Sequence, residues 1–106
     1  MIRHILLIEF KPDTSASHID AVRQEFLSMP KRVEGVIAVE WGVGDSPEGR
    51  HDGYTHSVLM TFADEAARQR YLPHPEHDAL KAVFRPVMAR AIVFDYTLKS
   101  GEVGVS

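Results

Sequence analysis

The chain contains no cysteine. Without thiol groups it can form no disulfide framework, no thiolate metal site and no cysteine nucleophile. This absence is typical of proteins from a reducing compartment, and we expect a cytoplasmic location. The sequence also lacks a glycine-rich phosphate loop, a serine triad and a paired carboxylate motif, so it gives no support to the enzyme classes that depend on them.

Long apolar runs and a strong charge of one sign are missing as well. The N-terminus is apolar for only a few residues before Glu9 and Lys11 interrupt it, which is too short for a signal peptide or a membrane span. The net charge is −3, and the basic residues are scattered, with Arg68 and Arg70 as the nearest approach to a cluster. We therefore expect no membrane partner and no nucleic-acid partner.

What the sequence does contain is the composition of an ordinary globular domain, with 44% hydrophobic and 25% charged residues in a chain of 106. A chain of this length forms one domain, which we place at residues 1–98, with a flexible C-terminal tail at residues 99–106. A domain of this size buries only a modest core. Association of two chains through an apolar face is therefore a simple way to gain stability.

Apolar residues that alternate with a period of two predict four strands, at residues 2–11, 36–43, 54–62 and 91–98. His4 shares a strand face with Leu6, and His56 shares one with Val58, and we expect this face to lie under the helices. In the second strand the alternating apolar positions are Ile37, Val39, Trp41 and Val43. The opposite face of the sheet carries apolar residues that need a cover, namely Ile5, Leu7, Leu59 and Val93 or their neighbours.

Helical periodicity of 3.6 residues predicts two helical regions. The first ends near Pro30, because the residue before a proline avoids the helical conformation, and Ser17 and Asp20 are expected to cap its start. Asp64 is expected to cap a short second helix. Pro75 is well placed as the first residue of the helix that follows.

The predicted order of elements is strand–helix–strand–strand–helix–strand, with the second helical region broken between Leu72 and Pro75. This order predicts an α+β, ferredoxin-like fold, in which a split βαβ sheet carries helices on one face. The uncovered apolar face would be large enough to drive association. We therefore expect a homodimer that forms through the sheet face away from the helices.

His77 is the first candidate for a catalytic residue. Its imidazole titrates near neutral pH, so it can take and return a proton. It lies at a predicted helix start, where the helix dipole keeps the ring neutral. Tyr71 could hold a substrate carbonyl or stabilise an enolate by hydrogen bonding. The alternatives are a histidine bonded only to the preceding turn and a core tyrosine with its hydroxyl at the rim.

His4 and His56 lie on the predicted core face, where a buried ring needs hydrogen-bond partners. A core histidine bonded to backbone would explain each of them alone, but polar groups that converge in an apolar cavity are typical of a ligand site. His74 and His77 are three residues apart, which is a weak metal signal. We predict no metal site, assign His74 to a turn or helix cap, and interpret Asp95 as an edge or interface residue.

Five short segments together carry a family resemblance: Arg3-His4, Val39-Glu40-Trp41-Gly42, Gly53-Tyr54-Thr55-His56, residues 71–77, and Val93-Phe94-Asp95-Tyr96. On these segments the chain resembles the stress-responsive A/B barrel (Dabb) family of the dimeric α+β barrel superfamily. The resemblance covers nearly the whole chain, from residue 2 to about residue 96. It implies a dimeric α+β barrel that works without a cofactor.

The same resemblance implies a set of site residues. The family includes a plant polyketide cyclase that closes an aromatic ring without cofactors. Its catalytic histidine and tyrosine match His77 and Tyr71, and two further pocket histidines match His4 and His56, which are then expected to bind substrate. A second pocket tyrosine of the cyclase falls on Phe26, which would make that wall of the pocket apolar.

Two main hypotheses for the function follow. The first is a small cofactor-independent enzyme that acts on a hydrophobic, oxygenated small molecule by acid–base chemistry, with His77 as base and Tyr71 as its partner. Ring closure, isomerisation and lactone chemistry all fit this description. The alternative is a non-catalytic ligand-binding or stress-protective dimer. A cofactor-free oxygenase, as in related barrels, is a third option.

Overall fold

The computed structural model describes residues 1–106, the whole chain. It contains four strands, three α-helices and one short 3₁₀ helix. In chain order these are β1 (Ile2–Phe10), α1 (Ala16–Arg32), β2 (Val36–Val43), β3 (His56–Phe62), α2 (Glu65–Tyr71), α3 (Pro75–Phe84), the 3₁₀ helix (Arg85–Val87) and β4 (Met88–Thr97). The predicted order is confirmed, with the second helical region divided into α2 and α3.

The four strands form one antiparallel sheet in the order β2-β3-β1-β4. This is the predicted ferredoxin-like α+β fold. Leu6 of β1 lies opposite Val58 of β3 and Val93 of β4, and residues that lie opposite each other point to the same face. Because Leu6 and Val58 are buried, theirs is the face that packs under the helices.

One cluster of sixteen buried apolar residues fills the space between this face and the helices. Phe26 of α1 is only 2% exposed. Its ring packs against Phe84 of α3, with ring centroids 5.5 Å apart, and against Trp41 of β2, at 6.3 Å. Side chains of the cluster therefore occupy the interior behind Phe26.

The start of α1 differs from the prediction. Ser15 caps the helix, because its side chain accepts a hydrogen bond from the backbone N–H of His18 at 3.1 Å. Ser17 lies inside the first turn instead, and the carboxylate of Asp20 accepts hydrogen bonds from Gln24 and Arg23. The prediction of a Ser17–Asp20 capping pair is wrong.

The end of α1 also differs, since the helix continues through Pro30 to Arg32. A proline removes its own N–H from the helix, and its ring crowds the carbonyl four residues earlier. The ladder resumes at once, because the backbone N–H of Val33 donates to the Met29 carbonyl at 2.9 Å. So close to the end of a helix, the loss of one bond is tolerated.

For two strands, the sheet face that a residue occupies differs from the prediction. Val93 lies on the helix side of the sheet, since it is opposite Leu6. In β2 the register shifts between Val36 and Ala38, so Val36 is buried while Ile37 is 48% exposed. A bulge adds one residue to a strand, so simple alternation does not predict it.

The face of the sheet away from the helices is apolar and open. Its exposed large side chains include Leu7, Ile92, Phe94 and Tyr96. Leu7 lies opposite Ile92, and Ile5 lies opposite Phe94, so these side chains form one continuous patch across β1 and β4. Among the helices, none is long and apolar enough to cross a membrane.

Candidate active site

Tyr71 and His77 meet at the turn between α2 and α3. Tyr71 ends α2, and His77 lies in the first turn of α3. The turn is tight because the backbone N–H of His74 donates to the Tyr71 carbonyl at 3.0 Å. The His74 ring then caps α3 by accepting from the backbone N–H of Glu76, also at 3.0 Å, which confirms the predicted cap. As a result, the rings of Tyr71 and His77 lie with their centroids 4.3 Å apart.

The hydrogen bonding of His77 defines where its proton is. Nδ1 lies 2.8 Å from the carbonyl oxygen of Leu72. Because a carbonyl can only accept, Nδ1 carries the proton and Nε2 keeps a free lone pair. Burial lowers the pKa of His77, as do the charges of Lys81 and His4, whereas the bond to Leu72 and the Asp78 carboxylate act in the opposite direction. The ring is therefore neutral at pH 7, as a general base must be.

Tyr71 is almost fully buried, at 1% exposure, and its ring also packs against Phe62 with centroids 5.3 Å apart. Burial raises the pKa of its hydroxyl strongly, and the charge of Arg32 opposes this rise. The hydroxyl has no hydrogen-bond partner within the chain, and because the fold leaves no fully enclosed polar atom unpaired, its oxygen keeps a small contact with solvent. At neutral pH the hydroxyl stays protonated and can donate a hydrogen bond.

His4 adds a second imidazole to this region. Its Nδ1 lies 2.6 Å from a carboxylate oxygen of Asp95, and Arg68 donates to the other oxygen at 3.2 Å. The ring of His4 lies 5.8 Å from that of Phe62, which also contacts Tyr71. Asp95 lies on β4, an edge strand of the sheet, as predicted, and its side chain also binds a histidine of the candidate site.

His56 lies at the other end of the sheet. It is opposite Ile8 of β1, whereas His4 is opposite Met60 of β3. Four residues along a strand correspond to about 13 Å. The structure therefore brings together His4, Tyr71 and His77, and it places His56 apart from them.

An aromatic cluster surrounds His56. The His56 ring lies 5.1 Å from Phe10 and 5.5 Å from Trp41, and Trp41 in turn contacts Phe26. Nδ1 of His56 shares a hydrogen bond of 2.7 Å with the Thr55 hydroxyl, and burial lowers the pKa of the ring. Phe26 and His56 thus form an apolar, aromatic end of the interior, at a distance from the Tyr71–His77 pair.

Three open hollows in the surface lie away from that pair. One, of about 770 Å³, is beside the loop that precedes β3 and includes His56 in its lining. The other two, of about 570 and 680 Å³, lie along the outer side of α3 and beside the C-terminal tail. None of the three is lined by Tyr71, His77 or Phe26. No group of three or more histidine, aspartate or glutamate side chains is arranged to hold a metal ion.

Three residues that the sequence analysis did not assign to the site contact or influence its members. Asp95 and Arg68 hold His4, and Arg32 bears on Tyr71 through its charge. The sequence placed Asp95 only at a strand edge or an interface. Its pairing with His4 depends on the register of β4 against β1, which local sequence does not encode.

Comparison with known proteins assigns the family. The family model of the Stress responsive A/B Barrel Domain matches residues 2–98. The chain belongs to this family. Olivetolic acid cyclase of Cannabis sativa is 25% identical to it over 96 residues, which cover 91% of this chain and 95% of the cyclase.

Solved structures show the same Dabb fold. The crystal structure of At3g17210 from Arabidopsis thaliana matches with a TM-score of 0.89 at 29% identity, covering 97% of this chain and 100% of that one. A dimeric ferredoxin-like protein of unknown function from Thermobifida fusca matches with a TM-score of 0.77 at 21% identity, covering 92% and 90%. Dimers therefore occur among the structural neighbours of this Dabb protein.

Proposed function

We propose that this Dabb protein is a small cofactor-independent enzyme that performs acid–base chemistry on a hydrophobic, oxygenated small molecule. The observation that carries the proposal is the pairing of a free His77 Nε2 with an unpartnered Tyr71 hydroxyl, on rings 4.3 Å apart. A neutral base beside a hydrogen-bond donor is the arrangement that removes a proton next to a carbonyl group. The name of the related olivetolic acid cyclase supports ring closure as the first reaction to test.

In the proposed reaction, Nε2 of His77 takes a proton from the carbon next to a substrate carbonyl. The Tyr71 hydroxyl donates a hydrogen bond to the oxygen on which negative charge develops, and so stabilises the enolate. The imidazolium then returns the proton when the new bond has formed. Isomerisation and lactone opening by elimination begin with the same proton removal and enolate. The imidazolium then returns the proton to another carbon in isomerisation, and to the ring oxygen that leaves in lactone opening.

The substrate-binding residues divide between the two ends of the interior. His4, held by Asp95, would contact the polar part of the substrate beside Tyr71. Phe26 and His56 would contact its apolar part. Because core side chains fill the space between these ends, binding of a long substrate would require some of those side chains to move.

The proposal includes a homodimer through the sheet face away from the helices. Leu7, Ile92 and Phe94 expose a continuous apolar patch there, and a patch of this kind on a small domain favours association. The occurrence of dimers among the structural neighbours supports the same assembly.

Two further expectations stay predictions. A cytoplasmic location is supported by a sequence with no cysteine. A single domain at residues 1–98 with a flexible tail at residues 99–106 is supported by the exposure of every residue after Leu98.

The test of the proposed function is turnover of a panel of linear polyketide-like compounds and lactones by the purified protein. We expect His77→Ala to lower kcat by about 10²-fold or more, and Tyr71→Phe by about 10²-fold, with circular dichroism showing that both variants fold. His51→Ala, which changes an exposed histidine, is the matched control and should keep full activity.

The same assay separates the alternatives. Full activity in folded His77→Ala would refute the catalytic assignment. Ligand binding by calorimetry, without turnover of any compound, would instead support the non-catalytic binding protein. Consumption of oxygen with a quinol-like substrate would support the oxygenase.

A further inference from the structure

Arg32, at the end of α1, is held by three side chains. Its Nη1 donates to the Ser28 hydroxyl at 2.8 Å and to the Glu25 carboxylate, both on the same helix. Its Nε donates to the carboxylate of Glu76 on α3 at 2.7 Å. The Arg32 side chain is 25% exposed. Isolated surface ion pairs contribute little, but a half-buried guanidinium that is bonded on two edges is fixed in orientation.

Glu76 connects this cluster to the candidate site, because it precedes His77 in the first turn of α3. The His74 ring holds the backbone N–H of Glu76, and Arg32 holds its carboxylate. The first turn of α3 is therefore tied both to the preceding turn and to α1.

Arg32 also acts on the other member of the pair. Burial raises the pKa of the Tyr71 hydroxyl, and the positive charge of Arg32 is the influence that opposes it. A charge acts in this way only when it lies near the group. Arg32 is thus linked to His77 through Glu76 and to Tyr71 through space.

We propose that Arg32 is the positioning residue of the Tyr71–His77 pair. Through Glu76 it fixes the first turn of α3, so that His77 Nδ1 meets the Leu72 carbonyl and Nε2 stays free. Its positive charge, which also bears on Tyr71, favours the negative oxygen that the Tyr71 hydroxyl would bind. This role rests on the proposed function, in which His77 is the base.

The test is nuclear magnetic resonance of the His77 ring, in the absence of any substrate. In the wild-type protein we expect the ring nitrogen signals of the form protonated at Nδ1, and carbon-bound ring protons whose chemical shifts are displaced by the neighbouring Tyr71 ring. Arg32→Gln should move the nitrogen signals and the proton shifts of His77 toward those of the exposed residues His18 and His51. Arg32→Lys, which keeps the charge but loses the planar fork, should restore the wild-type signals only in part.

Arg23→Gln is the matched control, since Arg23 lies on the same helix and pairs only with the exposed Asp20. It should leave the His77 signals unchanged. Unchanged His77 signals in folded Arg32→Gln would overturn the proposal.

Glu76→Gln provides a second variant in case Arg32→Gln does not fold. In this variant Arg32 keeps its hydrogen bonds to Ser28 and Glu25. The same displacement of the His77 signals is expected, and its absence would overturn positioning through Glu76. Since these spectra require no turnover, an inactive wild-type protein would refute the proposed function without changing this result. Conversely, if the wild-type protein is active and the His77 signals are the same in both variants as in the wild-type protein, only the role of Arg32 is refuted.

Discussion

Single hydrogen bonds determine what the histidines of this protein can do. His77 and His4 each give their Nδ1 proton to an oxygen, the Leu72 carbonyl in one case and the Asp95 carboxylate in the other. For His77 this leaves Nε2 as the free nitrogen. For His77 the partner is an uncharged carbonyl, so burial dominates and the pKa of the ring is lowered.

The pH dependence of activity follows from this lowered pKa. A base must be unprotonated, so kcat/KM should be constant near neutral pH and should fall as the pH drops through a value below 6.5, the ordinary pKa of histidine. Lys81→Gln removes a charge that disfavours the imidazolium, so the acid limb should move to higher pH. Asp78→Asn should move it to lower pH.

Each of these displacements should be smaller than about one pH unit, because water screens charges at the protein surface. Titration of the His77 ring by nuclear magnetic resonance, beside the pH profile of kcat/KM, measures them. If the acid limb moved in the same direction in both variants, the assignment of His77 as the titrating base would be contradicted.

Short helices and their caps place the site residues. The break between α2 and α3 brings Tyr71 and His77 into contact across a single turn. Gly35, before β2, allows α2 to pack closely, since a Cβ at this position would lie 2.5 Å from the Cβ of Ala67 and its φ of +93° is one that few other residues adopt. These local features fix the orientation of α2 and hence of Tyr71.

The cap of α1 offers a test at this level. Ser15→Ala removes the side chain that accepts from the His18 N–H, and should lower the free energy of unfolding by about 1 kcal/mol. Ser17→Ala, in the first turn, should change it by less than about 0.5 kcal/mol. Urea denaturation measures both. Equal losses in the two variants would show that Ser15 is not the cap.

The assembled molecule depends on the face of the sheet that the helices leave uncovered. Phe94 is 62% exposed on that face and Val93 is 59% exposed on the opposite one. Adjacent residues in one strand point to opposite faces. Substitutions at Phe94 and Val93 therefore distinguish the effect of a charge on the uncovered face from the effect of a charge elsewhere in β4.

Phe94→Glu should convert the proposed homodimer to monomers, because it buries an unpaired charge in the apolar interface. Val93→Glu should leave the dimer intact. Sedimentation equilibrium of the two variants and the wild-type protein measures the effect. A dimer that survives Phe94→Glu, or a monomeric wild-type protein, would show that this face is not the interface.

Local sequence signals were enough to predict the elements and their order. Alternation gave the bounds of β2 without error, and Asp64, His74 and Pro75 start α2 and α3 as predicted. These signals act over a few residues, because a cap or a proline changes only the backbone beside it. The pairing of Tyr71 with His77 was implied by the family resemblance, and the turn between α2 and α3 brings their rings together.

Contacts between side chains that are distant in the chain could not be predicted in this way, because they depend on the folded arrangement. His4 and Asp95 are 91 positions apart, and Arg32 and Glu76 are 44 apart. The first contact depends on the register of β4 against β1, and the second on how α1 packs on α3. Strand register likewise placed His56 at the far end of the sheet, although alternation had correctly put it on the same face as His4. Periodicity defines a face of a strand or helix, but position along that face comes from pairing between segments that are remote in the chain.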